Sequence, residues 1–271
     1  MIEWIKGIDP RAVVHPDARL GERVTVAPFA MIGPEAVIGD DCWIGPHAIV
    51  DGRTTMGKGN IVGPYSTIGV RPQDLKYRGE PSELVIGDHN TFRESCTIHR
   101  GSEHGGNVTR IGSNGLFMVG THIAHDCQVG NGVLFVNGAT LGGHIEVGDH
   151  ATVGAFSGVH QFCRIGPHAF IGGYSVITRD AMPFCTTVGN RAHCYGVNKI
   201  GLIRKGFAKE LIEAMDQAVR RIFSPQLRRE QALAEVESRW GQVSEVGQMV
   251  EFVRSSPRGV IPIRFGEAAE S

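Results

Sequence analysis

The 271-residue sequence predicts a mainly β protein, a parallel β-helix of hexapeptide repeats over residues 1–190 followed by an α-helical C-terminal domain over 191–271. Three observations lead there. An aliphatic side chain recurs at every sixth position over most of the chain. Glycine is abundant at 37 residues while aromatics make up only 7%. Near Pro183 the hexads stop and the apolar spacing becomes helical.

The repeat is the strongest signal. From Ile8, aliphatic residues fall at Val14, Leu20, Val26, Ile32, Ile38, Ile44, Val50, Met56, Val62 and Ile68, usually followed by glycine. Four positions after the aliphatic sits a small residue such as Ala12, Ala30, Cys42, Ala48 or Ser66. The grid survives a first interruption over 70–85, because Ile86, Phe92 and Ile98 stay on it. A second interruption near 104–110 shifts it by one, after which it runs from Ile111 to Ile177. Each hexad reads as a short strand plus a corner, and three hexads close a triangular coil of about 18 residues. The aliphatic points inward, the small residue fills the narrow remainder and glycine permits the corner. Coils stacked at about 4.8 Å pair their backbone groups with the coils above and below. Cys42, Cys96, Cys127 and Cys163 occupy the small inward position, which makes them core residues rather than redox or metal groups.

Beyond the hexads, the stretch from Asn198 to Phe223 carries helical apolar spacing at Phe207, Leu211, Ala214, Met215 and Ala218. Ser224-Pro225 is positioned to start a second helix, a third pattern covers 242–254, and the tail from Ser255 reads as irregular.

Composition excludes several classes. The net charge of −1 argues against a nucleic-acid binder. The stretch from Lys199 to Arg229 nevertheless holds eight basic residues against three acidic ones, a solvated helix face or a surface for an anionic partner. The N-terminus lacks the pattern of a signal peptide, no apolar run is long enough to cross a bilayer, and six cysteines without CxxC spacing point to reduced thiols in the cytoplasm.

An 18-residue coil turns spacing into geometry. His125, Gly143 and Gln161 should lie one above another, as should Asp126 and His144, forming one outward patch with His122 and His160 close by. A histidine beside a carboxylate, with a glycine amide one coil away, suits a general base, its orienting group and an oxyanion donor. Cys127 should point inward, and no serine nucleophile is evident, which favours direct attack by a substrate hydroxyl. A second reading pairs His122 and His125 as zinc ligands, as in trimeric β-helix carbonic anhydrases, although the three-residue spacing differs from the five-residue spacing associated with those enzymes. A purely structural solenoid is a third. The two interruptions, containing Gln73, Asp74, Lys76 and Tyr77 in one and following His99 and Arg100 in the other, are loops of the kind that often carry binding residues.

The segments QDLKYRGEP, RESCTIHRG, HIAHDC, HQFCRIG and GN-x7-NKIGLIRKGF, in this order and spacing, closely resemble the bacterial UDP-N-acetylglucosamine O-acyltransferase family over nearly the whole chain. The resemblance implies a left-handed β-helix and a homotrimer. It also implies transfer of an (R)-3-hydroxyacyl group from acyl carrier protein to the 3-hydroxyl of UDP-N-acetylglucosamine, the first step of lipid A synthesis. No cofactor, metal, nucleic acid or stable membrane insertion is expected. By the same carry-over, His125 is the base, Asp126 orients it and Gly143 supplies the oxyanion N–H. Asp74, Lys76, His99, His122, His144, His160 and Gln161 would contact sugar, phosphates or acyl chain. Gly173 matches the position whose bulk limits acyl length, so its absent side chain would admit a longer chain, and Asn198, Arg204 and Lys205 would hold the nucleotide. The pattern departs at Ile200, where an acidic residue is expected, and at Arg191, where histidine is common. The related N-acyltransferase of the same pathway carries an extra N-terminal domain, for which hexads starting near residue 8 leave no room.

Overall fold

The structure is a computed structural model that describes residues 6–264, so the ends of both expected domain ranges lie outside the described residues. Twenty-seven short strands run from Val13–Val14 to His193–Val197, and most are only two residues long. They stack into three sheets of nine, eight and ten strands, each pairing with the strand one coil away. Face 1 runs from Val13–Val14 to Val176–Ile177, face 2 from Arg19–Leu20 to Arg164–Ile165, and face 3 from Thr25–Val26 to the final strand. All pairings are parallel except the last, where Cys185–Val188 and His193–Val197 form an antiparallel hairpin that ends face 3. The expected domain boundary at residue 190 falls in the turn of that hairpin.

Physical chemistry explains why six residues make a side. The grid aliphatics are the second residue of each strand and point inward: Val26, Ile44, Val62, Phe117, Phe135, Val153 and Ile171 are all fully buried on face 3. Fully burying one such side chain contributes roughly 1.5–3 kcal/mol. At mid-length Phe92, Phe117 and Phe135 stack inside the coil, with ring centroids 4.7 and 5.2 Å apart, close to the strand spacing itself. Cys42, Cys96, Cys127 and Cys163 are buried as the spacing requires, and burial pushes the thiol of Cys127 up to about 12. Most corners hold one residue in the left-handed region; the corner after face 1 places Asp126, His144 and Phe162 there at φ 62°, 60° and 63°.

Both interruptions leave from that same corner between faces 1 and 2. Partners across a plain coil are 18 residues apart, as with Glu146 and Arg164. Across the first excursion Met56 pairs with Ile86, 30 residues on; across the second Ile86 pairs with Ile111, 25 residues on. The chain loops out and returns in register.

The C-terminal region departs from the expected helices in two respects. Gly206, at φ +83°, divides the first stretch into α1 (Lys199–Arg204) and α2 (Lys209–Ile222), because a residue in the left-handed region ends the hydrogen-bond ladder. The buried stripe of α2 is Ile212, Met215, Ala218, Val219 and Ile222, with Leu211 and Ala214 only partly buried. Ser224-Pro225 lies in a turn, and α3 (Arg229–Trp240) starts after it, with Gln231 closing back onto the backbone of Arg228. The third expected helix is α4 (Ser244–Arg254). The chain beyond it is irregular, held by isolated bridges from Val260 to Asp180 and from Ile263 to Cys194. Among the described residues no helix is long and apolar enough to cross a membrane.

Candidate active site

The corner between faces 1 and 2 gathers the chemistry. His125 follows the strand His122–Ile123, Gly143 follows Thr140–Leu141, and Gln161 follows Gly158–Val159, so the three rise in a column one coil apart. Their shared position follows the inward aliphatic by two residues, where the backbone N–H has no ladder partner. Elsewhere proline stands there, as at Pro34, Pro46, Pro64 and Pro167, since proline has no N–H to leave unpaired. At Gly143 the N–H is present and donates no hydrogen bond among the described residues. The missing side chain also matters: a Cβ on Gly143 would meet the His125 ring at 2.7 Å.

The neighbouring column places Asp126 beneath His144. Asp126 Oδ2 lies 2.7 Å from His125 Nδ1 and 3.8 Å from His144 Nδ1, and its carboxyl is wholly buried. Burial opposes its ionisation, but hydrogen bonds from His125 and Ser102 outweigh that and hold the carboxyl below the usual carboxylate range. His144 stacks face to face on Phe162, with centroids 4.4 Å apart, and meets the edge of the His125 ring. Burial holds His144 below the ordinary imidazole value, with Asp74 and Lys76 near enough to pull in opposite directions.

His122 and His99 sit one coil apart on face 1, in edge contact at 4.9 Å. His122 Nδ1 bonds Thr97 Oγ1 at 2.7 Å, whereas the buried Nδ1 of His99 has no partner among the described residues. Burial, helped by His122, His125 and Arg100, pushes His99 down to about 4, and burial lowers His122 too. His160 and Gln161 are exposed at the same corner, His160 Nδ1 facing the Gln161 carbonyl at 3.0 Å. Asp74 and Lys76 lie in the first excursion, whose tip Leu75 is 96% exposed.

Four predicted residues lie elsewhere on the chain. Gly173 is at the corner between faces 3 and 1, with only Ala155 atoms near the place of a Cβ. Asn198 caps α1 by accepting from Gly201 N, and Arg204 and Lys205 are exposed at its end, Lys205 close enough to His168 to lower it. Ile200 and Arg191 are exposed as well. Several of the basic residues in 199–229 are already paired: Lys199 and Arg220 with Asp216, Arg221 with Glu235, and Lys209 with Glu213.

Spacing missed the residues that hold Asp126. Ser102 donates to both of its oxygens, Thr109 Oγ1 accepts from Asp126 N, and Gly105 packs so closely that a Cβ there would lie 1.9 Å from the carboxyl carbon. They belong to the second excursion or its exit, where partners are not 18 residues apart, so coil arithmetic has no purchase on them.

Donor atoms of His125, Asp126 and His144 lie within 4.8 Å of one another. Both oxygens of Asp126 accept from Ser102, and His125 Nδ1 is turned onto the carboxylate, an arrangement suited to moving a proton rather than to ligating an ion. His122, the other residue of the zinc reading, has its Nδ1 bonded to Thr97 Oγ1 at 2.7 Å, which leaves Nε2 as its remaining ring nitrogen.

Comparison with known proteins identifies the fold and the family. The family model described as UDP-N-acetylglucosamine O-acyltransferase, domain 2, matches residues 180–261, and the bacterial transferase hexapeptide model matches 35–69 and 144–179. The acyl-[acyl-carrier-protein]–UDP-N-acetylglucosamine O-acyltransferase of Alkalilimnicola ehrlichii is 49% identical over 254 residues, covering 94% of this chain and 98% of that protein. The protein of the same name from Halorhodospira halophila is 48% identical over 254 residues, with the same coverage. The crystal structure of UDP-N-acetylglucosamine O-acyltransferase from Moraxella catarrhalis superposes with a TM-score of 0.91 at 38% identity, over 94% of this chain and 99% of that one. The shared architecture is the mainly β, left-handed parallel β-helix with a C-terminal helical region.

Proposed function

The chain belongs to the UDP-N-acetylglucosamine O-acyltransferase family and is an enzyme of that class, and from this premise we propose how its residues carry the reaction. The reaction moves a hydroxyacyl group from acyl carrier protein to UDP-N-acetylglucosamine, at the start of lipid A biosynthesis. The finer reading is that the acyl group is an (R)-3-hydroxyacyl chain and the acceptor is the 3-hydroxyl.

His125 is the general base. Its Nδ1 faces Asp126, which leaves Nε2 to take the proton from the 3-hydroxyl as that oxygen attacks the thioester carbon. Asp126 fixes the ring and stabilises the imidazolium that forms. The N–H of Gly143, which donates no hydrogen bond among the described residues, lies one coil from the His125 ring and would receive the developing oxyanion. When the tetrahedral intermediate collapses, the carbon–sulfur bond breaks and His125 returns its proton to the leaving thiolate of the carrier. Protonation and deprotonation thus balance on one imidazole, and no covalent acyl-enzyme is needed. The observation that carries this reading is the column itself: imidazole, carboxylate and unpaired amide within one corner of two adjacent coils.

His99, His122, His144, His160, Gln161, Asp74 and Lys76 surround that column and serve as substrate contacts. The remaining binding residues are on another corner (Gly173) and at the ends of α1 (Asn198, Arg204 and Lys205), and this favours a homotrimer in which one subunit completes the site of the next. The outer surface of face 1 supports that assembly, since Val13, Met31 and Val176 are exposed on it. The adjoining corner carries the stacked rings Phe29–His47–Tyr65 and, higher, Phe156–Tyr174. Asn198, Arg204 and Lys205 would hold the nucleotide, and Arg204, Lys205, Arg228 and Arg229, which make no ion pair among the described residues, would draw in an acidic carrier protein. The cytoplasm, where both substrates would be met, is the proposed location, and the division into residues 1–190 and 191–271 is the proposed domain organisation.

The test is acyl transfer from hydroxyacyl carrier protein to UDP-N-acetylglucosamine, with the product identified by mass spectrometry. Formation of a 3-O-acyl product that His125→Ala nearly abolishes is the expected result. A chain that makes no such product, or a fully active His125→Ala variant, would overturn the reading.

A further inference from the structure

We propose that Ser102 is a positioning residue of this site: it locks the Asp126 carboxylate in the orientation, and in the ionised state, that His125 requires. The inference rests on the reading of His125 and Asp126 given above and deepens it.

The geometry is a two-pronged clasp. Ser102 N donates to Asp126 Oδ1 at 2.7 Å and Ser102 Oγ donates to Asp126 Oδ2 at 2.6 Å. With one donor on each oxygen, the carboxylate cannot rotate about its last bond without breaking both. That rotation would otherwise be free, because terminal torsions of this kind are broad. The clasp leaves Oδ2 facing His125 Nδ1 at 2.7 Å, so the hydroxyl and the imidazole share one acceptor oxygen. Serine 102 is fully buried, as is the carboxyl it holds, so water cannot substitute for a lost donor.

The clasp comes from the second excursion. Its chain turns through a short 3-10 segment, Glu103–Gly105, whose first and last backbone bonds return to Ser102: Gly105 N and Asn107 N both donate to the Ser102 carbonyl. The close packing of Gly105 against Asp126 brings that turn in to contact distance. From the other side, Thr109 Oγ1 accepts from Asp126 N and anchors the backbone of the aspartate. The excursion therefore has a definite job beyond decorating the corner.

The titratable groups facing Asp126 are His125 and His144 from the coils at the same corner, with the inward thiol of Cys127 next in sequence. Neither histidine replaces the hydroxyl. His144 Nδ1 is 3.8 Å away, beyond hydrogen-bond reach, and the His125 bond is the one catalysis uses. Removing the hydroxyl leaves the buried carboxylate one donor short, so its ionised form becomes harder to keep.

The experiment compares Ser102→Ala and Ser102→Thr, the latter retaining the hydroxyl. For Ser102→Ala we expect kcat to fall about tenfold with KM little changed, since a lost hydrogen bond to a charged group is worth about that factor. The acidic limb of the kcat profile should move upward, because the Asp126 carboxylate, one donor short, holds the protonated form of the His125 base more strongly. Ser102→Thr should restore both. A 13C titration of the Asp126 carboxyl in the same variants needs no substrate, so it separates failure of this inference from failure of the acyl-transfer reading. An Ala variant with an unmoved limb and an unmoved carboxyl titration would overturn the proposal, as would a Thr variant impaired as badly as Ala. A purely structural role would lower the melting temperature without moving either titration.

Discussion

The His125 imidazole lies over the backbone of Gly143, close enough that a single added methyl group would meet the ring at 2.7 Å. The proposed base and the proposed oxyanion donor are therefore adjusted to each other through one absent side chain. The glycine is required here for close approach, its φ lying outside the left-handed region.

Substituting Gly143→Ala should push the imidazole out of line while leaving the β-helix intact. A displacement of about 1 Å at the reacting groups is expected to lower kcat roughly a hundredfold. Steady-state kinetics check this, and an unchanged kcat would show that the amide and ring need not sit together.

Asp126→Asn keeps the shape of the side chain but replaces a doubly clasped acceptor with a group that must present an NH2 to one of its donors. The loss in kcat should be of the order of a thousandfold or more, as when a carboxylate that orients a catalytic histidine is made an amide. KM for UDP-N-acetylglucosamine should change far less.

Acid should loosen the fold through the buried histidines. His99 is held down to about 4 by burial, and an unfolded histidine titrates near its ordinary value of about 6.5. Between those values the unfolded chain binds more protons than the folded one, so stability falls as pH drops through that window and is complete above it. His122, lowered by burial, acts in the same direction. Thermal melts from pH 7 to 4 should show a falling melting temperature, with a smaller decline in His99→Gln. A flat wild-type profile above pH 4 would count against this.

The place of a Cβ at Gly173 is largely open, with Ala155 O at 3.3 Å as its nearest neighbour. Gly173→Met should therefore fold and project a side chain from the corner. If that corner ends the acyl groove, a panel of hydroxyacyl carrier proteins should shift preference toward shorter chains. Unaltered preference would remove Gly173 from the ruler.

Met31 is half exposed in the apolar column of face 1, between Val13 and Ile49. In the proposed homotrimer a charge there, as in Met31→Asp, would be buried and left unpaired, at a cost of several kcal/mol. On that reading sedimentation should show a shift from trimer toward monomer, with activity lost in proportion. A fully active monomer would refute a site shared between subunits.

The legibility of this protein in its sequence followed its periodicity. Wherever partners are 18 residues apart, the spacing located them: the His125–Gly143–Gln161 column, Asp126 beneath His144, and the four inward cysteines all stand where the grid puts them. Ser102 lies 24 residues from Asp126, an interval set by a loop rather than a coil, and so was invisible. The helices were found by their apolar spacing, but the break at Gly206 and the late start of α3 depend on local backbone geometry that a hydrophobic pattern does not encode. Gly173 and Arg204 are assigned by likeness alone; coil spacing puts Gly173 on a different corner from His125, and it has no reach to Arg204, which lies beyond the hexads at the end of α1.

The two excursions at the catalytic corner add chain without disturbing the strand pairing on either side of them. A whole extra coil would act differently, because it would lie between fixed points and move them apart by about 4.8 Å. If Gly173 ends the acyl groove as proposed, such a duplication between Gly143 and Gly173 would lengthen it by one graduation, as on a caliper, while leaving every local contact unchanged. On that reading chain-length preference would evolve on two scales, whole coils setting the coarse mark and the side chain at position 173 the fine one.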